Sequence, residues 1–100
     1  ITKDSIIIYN QEEALKDADF VYVKNWSSYE KYGKILSEDT NWMMTKEKLG
    51  NAKFMHCLPV RRNFVVEDAV LDSDHSVVIQ GANNRTYSAQ IVLKKILENL

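Results

Sequence analysis

The tightest constraint on the fold lies at residues 53–63. There an apolar run is cut short in the string Lys53-Phe54-Met55-His56-Cys57-Leu58-Pro59-Val60-Arg61-Arg62-Asn63. A short apolar stretch of this kind suits a strand buried in a parallel sheet. Pro59 has no N–H to give to a ladder, so the strand must stop before it. The sequence therefore predicts a central strand over 54–57. In open α/β sheets, ligands bind just beyond the carboxyl ends of the strands. A strand ending here delivers His56, the only thiol of the chain (Cys57) and the guanidinium forks of Arg61 and Arg62 to one edge. That set suits a phosphate or carboxylate ligand. Each member also has an ordinary reading. A lone cysteine is usually a small buried apolar group, a lone histidine a satisfied one, and paired arginines are usually solvated.

Composition narrows the classes. The chain has 100 residues, which allows one small domain or part of a larger one. A hydrophobic content of 45% is enough for a core, and a net charge of -1 argues against a nucleic-acid footprint. The arginines at 61 and 62 are thus a local feature rather than part of a basic face. One cysteine excludes an internal disulfide, disfavours a structural zinc site and fits a reducing, cytoplasmic setting. No apolar run approaches the ~20 residues that span a bilayer, and no signal-peptide pattern is present. The first residue is Ile, as expected of a piece cut from something longer.

Along the chain, Ile6-Ile7-Ile8-Tyr9 predicts a strand over 5–9. Asn10 is placed to cap a helix over 11–16, with Glu12 and Glu13 in its first turn. Phe20-Val21-Tyr22-Val23 predicts a second strand, giving the alternation of an α/β fold. Lys24 would stand at that strand's carboxyl end, where the bland alternative is a snorkelling loop lysine. Residues 32–42 read as a long loop, and such loops are often functional. Trp26, Tyr29, Tyr32 and Trp42 could cover a pocket there, although packing is the commoner role. A helix over 43–49 should end at Gly50-Asn51. Beyond the motif, the sequence predicts a short helix over 65–71, a turn at 72–74 with His75 as a turn residue, a strand over 76–79 and a loop over 80–84. A long helix should follow over 84–99, capped by Asn83 or Asn84. Its apolar stripe would be Ala89, Val92, Leu93, Ile96, Leu97 and Leu100, with Arg85 in the first turn beside the positive dipole end.

His56-Cys57-Leu58-Pro59 followed by arginine resembles the signature of the transcarbamylases, the aspartate/ornithine carbamoyltransferase family. The longer string through Asn63 resembles the branch that acts on N-acylated ornithine. Val21-Tyr22-Val23-Lys24-Asn25-Trp26 and Asn84-Arg85 match as well, so the resemblance runs from about Gln11 to Leu100. It implies a parallel-sheet, Rossmann-like half domain of the α/β class with flanking helices and a long C-terminal helix. Residues 1–82 would be the C-terminal part of the ornithine-binding domain. Residues 83–100 would be a helix that docks back on an N-terminal carbamoyl-phosphate domain.

The resemblance also implies chemistry. Carbamoyl phosphate and an N-acylornithine would be the substrates, with no metal, no organic cofactor, no nucleic acid and no membrane involved, in a cytoplasmic homotrimer. Cys57 and Leu58 would contact carbamoyl phosphate and the incoming amine, across a cis Leu58-Pro59 bond, and Arg85 would bind carbamoyl phosphate. Lys24 and Arg61 would hold carboxylates of the acylated ornithine. Cys57 and His56 are the candidate catalytic residues, His56 in a supporting part, and Arg62 is read as supporting or structural. Ordinary ornithine enzymes carry an aspartate at the place of Lys24, which attracts the free α-ammonium. Lysine reverses that sign and suits an acylated, neutral α-nitrogen.

The sequence also departs from the family pattern. No Ser-x-x-Thr-Arg-like phosphate loop occurs in these residues, and the family's histidine and glutamine cluster is missing. The expectation is a C-terminal fragment that is inactive alone. Val65 stands where some acetylornithine enzymes carry a lysine, which together with Asn25-Trp26 and Phe54-Met55 favours the succinylornithine subtype. The alternatives are an ordinary ornithine carbamoyltransferase, a non-catalytic α/β module using Arg61 and Arg85 for a small anion, and an oligomerisation domain held by the last helix.

Overall fold

Two apolar runs pair as predicted. In a computed structural model of the chain, describing residues 3–26, 30–31 and 39–100, Phe20–Val23 forms strand β1 and Lys53–His56 forms strand β2. They lie parallel, with Phe20 opposite Lys53, Val21 opposite Phe54, Tyr22 opposite Met55 and Val23 opposite His56. Side chains alternate across a strand, so Val21, Phe54 and His56 share the buried face. Phe20 and Tyr22 point the other way and are exposed. Phe54 is fully buried and packs with Met44, Leu49, Val65, Val66, Val70 and Leu71. β2 ends one residue earlier than the predicted Cys57.

The short helices are set by local capping. Helix α1, Gln11–Leu15, begins at Asn10, whose side chain accepts the Glu13 N–H at 2.9 Å. Helix α2 is Lys46–Leu49, capped by the Thr45 hydroxyl and stopped at Gly50, whose φ of 57° favours glycine. It is shorter than the predicted 43–49 because Met44 is held in extended form. Its N–H donates to Val65 O at 2.8 Å, and its carbonyl accepts the Glu67 N–H at 2.9 Å. The same ladder keeps Val65 and Val66 out of the predicted 65–71 helix, leaving α3 at Asp68–Leu71. The Lys48 ammonium donates to Gln11 Oε1 at 2.9 Å and to the carbonyls of Met43 and Asn41. It thereby fastens α1 to the 3-10 turn Thr40–Trp42.

Four expectations are corrected. Residues 5–9 are not a strand, and Ile6, Ile7 and Tyr9 stand in solvent. Among the described residues no neighbouring strand supplies the ladder that such a run needs. The predicted strand over 76–79 shrinks to one bridge at Ser76, where Phe54 N–H donates to His75 O and Val77 N–H to Phe54 O. The chain then turns directly into helix α4, Val78–Glu98, so the predicted loop over 80–84 is already helical. Its cap position is Val77, with no side-chain cap, rather than Asn83 or Asn84. The apolar stripe is present, but Val92, Leu93, Ile96 and Leu97 are exposed, and the one buried residue of the helix is Val78.

The architecture is thus a small α/β unit. It has a two-stranded parallel sheet, flanking short helices and a long C-terminal helix. None of the helices among the described residues is long and apolar enough to cross a membrane.

Candidate functional site

Parallel strands deliver their carboxyl ends to one edge, and here the two ends are level. Because Val23 is paired with His56, Lys24 leaves β1 where Cys57 leaves β2. Asn25 ties the two exits together. Its Nδ2 donates to the Pro59 carbonyl at 2.9 Å, and its Oδ1 accepts the Arg61 N–H at 3.2 Å. Lys24 and the backbone of Arg61 are thereby held by adjacent points of one clasp. Leu58-Pro59 is cis. Leu58 has φ 52°, a left-handed conformation uncommon outside glycine. A non-glycine residue held at positive φ is often found at functional sites.

His56 is only 3% exposed. Its Nδ1 accepts the Leu58 N–H at 2.8 Å, so in the neutral ring the proton sits on Nε2, which is buried with no partner among the described residues. Burial lowers the His56 pKa below the ordinary histidine value of 6.5. The ring is therefore a neutral prop for the Leu58 turn.

Cys57 is exposed. Burial first, and then the contact with Cys57, raise the Tyr22 pKa above 10.0. A cavity of about 250 Å³ is lined by Tyr22, His56, Cys57, Gly81, Asn84 and Arg85 among others. Arg85 does not lie in the first turn of α4 but about two turns into it. It reaches the site through the packing of α4 beside β2, not through the helix terminus. A second cavity of about 360 Å³ is lined by Lys24, Trp26, Trp42 and residues of α1 and β1.

The structure thus brings Cys57 and Arg85 into one cavity and links Lys24 to the Arg61 backbone through Asn25. Neither cavity contains Lys24, Arg61 and Arg85 together. Lys24 and Arg85 have no ion-pair partner among the described residues. Arg62 is committed elsewhere. It donates to Asp68 at 2.6 Å and Asp72 at 3.2 Å, while Asn63 bonds both the Asp68 carboxylate and its N–H. That knot anchors α3, in keeping with the structural reading of Arg62. Trp26 is half-buried against the core and Trp42 is exposed, while Tyr29 and Tyr32 lie outside the described residues.

The sequence reading missed two contributors. Asn25 was legible only as a polar residue directly after a strand. Tyr22 was hidden inside an apolar run, and only its pairing with Met55 shows that it faces away from the core, on the wall of the cavity that Cys57 and Arg85 also line.

The chemistry such an edge can do is to hold anions and a neutral carbonyl compound against an amine, using fixed cations and backbone groups. A profile of the family described as "Aspartate/ornithine carbamoyltransferase, Asp/Orn binding domain" matches residues 2–96. The chain is 52% identical over 97 residues to N-succinylornithine carbamoyltransferase of Bacteroides fragilis, covering 92% of this chain and 30% of that protein. It is 39% identical over 104 residues to the catabolic ornithine carbamoyltransferase of Thermoplasma volcanium, covering 97% of this chain and 32% of that one. The structure superimposes on the ornithine carbamoyltransferase from Pyrococcus furiosus with a TM-score of 0.70 at 33% identity, over 83% of this chain and 29% of that chain. The chain thus spans about a third of the length of these relatives. With its strand-end motif, its fold and nearly its whole length matched, the chain belongs to the aspartate/ornithine carbamoyltransferase family, in the region of the aspartate/ornithine-binding domain.

Proposed function

We propose that these residues form the amino-acid-binding part of a carbamoyltransferase. It moves a carbamoyl group from carbamoyl phosphate to the side-chain amine of an N-acylated ornithine, N-succinylornithine by preference, as a step in arginine biosynthesis. The amine attacks the carbonyl carbon, a tetrahedral intermediate forms, and phosphate leaves. The protein's work in such a reaction is to align the reactants and to compensate charge on the phosphate and the oxyanion. Arg85, Cys57 and the backbone at Leu58 serve the carbamoyl-phosphate end. Lys24 and Arg61 serve the carboxylates of the acylated amino acid. His56 shapes the turn on which both depend.

The observation that carries this reading is Lys24, an exposed cation without a partner among the described residues, at the end of β1 and level with Cys57. A positive group there repels the α-ammonium of free ornithine and attracts a carboxylate whose neighbouring nitrogen is acylated. The higher identity to a succinylornithine enzyme than to an ornithine enzyme points the same way. The remaining parts of the reading are a carbamoyl-phosphate domain on the same polypeptide, a homotrimeric assembly and a cytoplasmic location. The 100 residues alone are then inactive.

The test is carbamoyl transfer by the longer polypeptide to ornithine, N-acetylornithine and N-succinylornithine in parallel. The expected order of kcat/KM puts N-succinylornithine first and free ornithine last. A preference for free ornithine, or turnover by the 100 residues alone, would contradict the reading.

A further inference from the structure

We propose, on the strength of the functional reading above and dependent on it, that Lys48 is a positioning residue for the amino-acid end of this site. It holds Trp42 against the cavity of about 360 Å³ that Lys24 also lines. The geometry is a clamp on three consecutive carbonyls. The Lys48 ammonium donates to the carbonyl of Asn41, to that of Met43 at 3.0 Å and to Gln11 Oε1 at 2.9 Å. Gln11 Nε2 in turn donates to the carbonyl between them, that of Trp42, at 2.9 Å. An ammonium has three N–H bonds, and each has one acceptor here. Lys48 forms no ion pair among the described residues, so peptide and amide dipoles compensate its charge.

The core does not account for a clamp at this place. Met44, the residue after it, is the one that reaches the core, and it has its own anchors in the ladder with Val65 and Glu67. Asn41 and Trp42 are exposed, Trp42 by 47%, and neither belongs to the core. A 3-10 turn as short as Thr40–Trp42 has little stability of its own, and the carbonyls at its end would ordinarily be served by water. Lys48 holds them instead, at a cost in side-chain entropy that a solvated lysine avoids. What the clamp fixes is the placement of the Trp42 indole, whose backbone is pinned on both sides. Trp42 and Trp26 both stand on the wall of the cavity at Lys24. A substrate whose carboxylate is drawn to Lys24 lays its methylene chain along that wall, where an indole offers a broad apolar face. Neither Lys48 nor Trp42 lines the cavity of Cys57 and Arg85, so the clamp serves the acylated ornithine and not carbamoyl phosphate.

The experiment is Lys48→Met in the longer polypeptide, which keeps an unbranched side chain and removes the three donors. The KM for N-succinylornithine is expected to rise about tenfold, the scale of one lost charge-assisted hydrogen bond. The KM for carbamoyl phosphate should stay unchanged. Trp42→Ala should raise the KM for N-succinylornithine as well, and Lys48→Met added to Trp42→Ala should raise it no further, since the two act through one indole. Gln11→Met removes the bond to the Trp42 carbonyl and should raise the same KM about threefold. It gives the same reading if Lys48→Met does not fold. Equal rises in both KM values, no rise in either, or a fully additive effect of Lys48→Met on top of Trp42→Ala would each overturn the proposal. Absence of transfer in the unaltered protein is a different result. It overturns the functional reading, and this proposal with it.

Discussion

The Leu58 N–H donates to Nδ1 of His56 at 2.8 Å, a bond that only an imidazole unprotonated at Nδ1 can accept. It joins the last residue of β2 to the turn that carries the candidate site. Because burial lowers the His56 pKa, the unfolded chain takes up the proton first as the pH falls. Stability is therefore full above about pH 6.5 and declines as the pH drops through the folded-state value. Thermal midpoints measured from pH 7.5 to 5 should show this decline. His56→Asn, which retains an acceptor for the Leu58 N–H, should flatten it. An equally steep decline in the variant would assign the effect elsewhere.

Asn25→Ala removes both hydrogen bonds that clasp the strand exits. The expected cost is about 1–2 kcal/mol, from two neutral bonds at partly exposed positions. Urea unfolding reads the loss as a lower midpoint with an unchanged slope. In the longer polypeptide the same change should raise the KM for the acylated ornithine, since Lys24 and Arg61 lose their common anchor.

Lys24→Asp restores the charge that attracts a free α-ammonium. The ratio of kcat/KM for ornithine over N-succinylornithine should increase by at least about tenfold, the effect of reversing one nearby charge at high local dielectric. Parallel initial-rate assays on the two amines decide it. An unmoved ratio would remove the charge argument for the acylated substrate.

Asp68 has its pKa lowered by hydrogen bonds from Arg62 first and then Asn63. A lowered carboxylate binds fewer protons folded than unfolded, so its contribution is present above the ordinary value of 3.8 and is lost as the pH falls further. Between about pH 4 and pH 2, the protection of the α3 amides, taken relative to the intrinsic exchange rate at each pH, should fall ahead of the rest of the chain. Asp68→Asn should show low protection in α3 already at neutral pH, with no further loss of protection on acidification.

Much of this was legible in the sequence for a physical reason. Both strands are apolar runs with sharp polar or proline ends, so the edge that carries Lys24, Cys57 and Arg61 followed from counting. Asn10 and Gly50 mark helix ends by their own chemistry, and both do so in the structure. The start of α4 was not legible. Val77, Val78 and Ile79 have the branched side chains of a strand, and Gly81 reads as a breaker. The helix begins there without any side-chain cap to announce it, set instead by the bridge from Ser76 to Phe54. Residues 5–9 failed in the opposite direction, with strand chemistry but no ladder to join. Tyr22 required the register, which no periodicity within one strand contains.

The Asn25 amide, on the exit of β1, grips two points of the loop that leaves β2, so the two exits act as a single jaw with one pin. Whatever tugs on Lys24 from one side is felt at Arg61, and drift of either loop must first release the pin. A substrate carrying two separated carboxylates would then be gauged by a fixed span instead of by two independent grips.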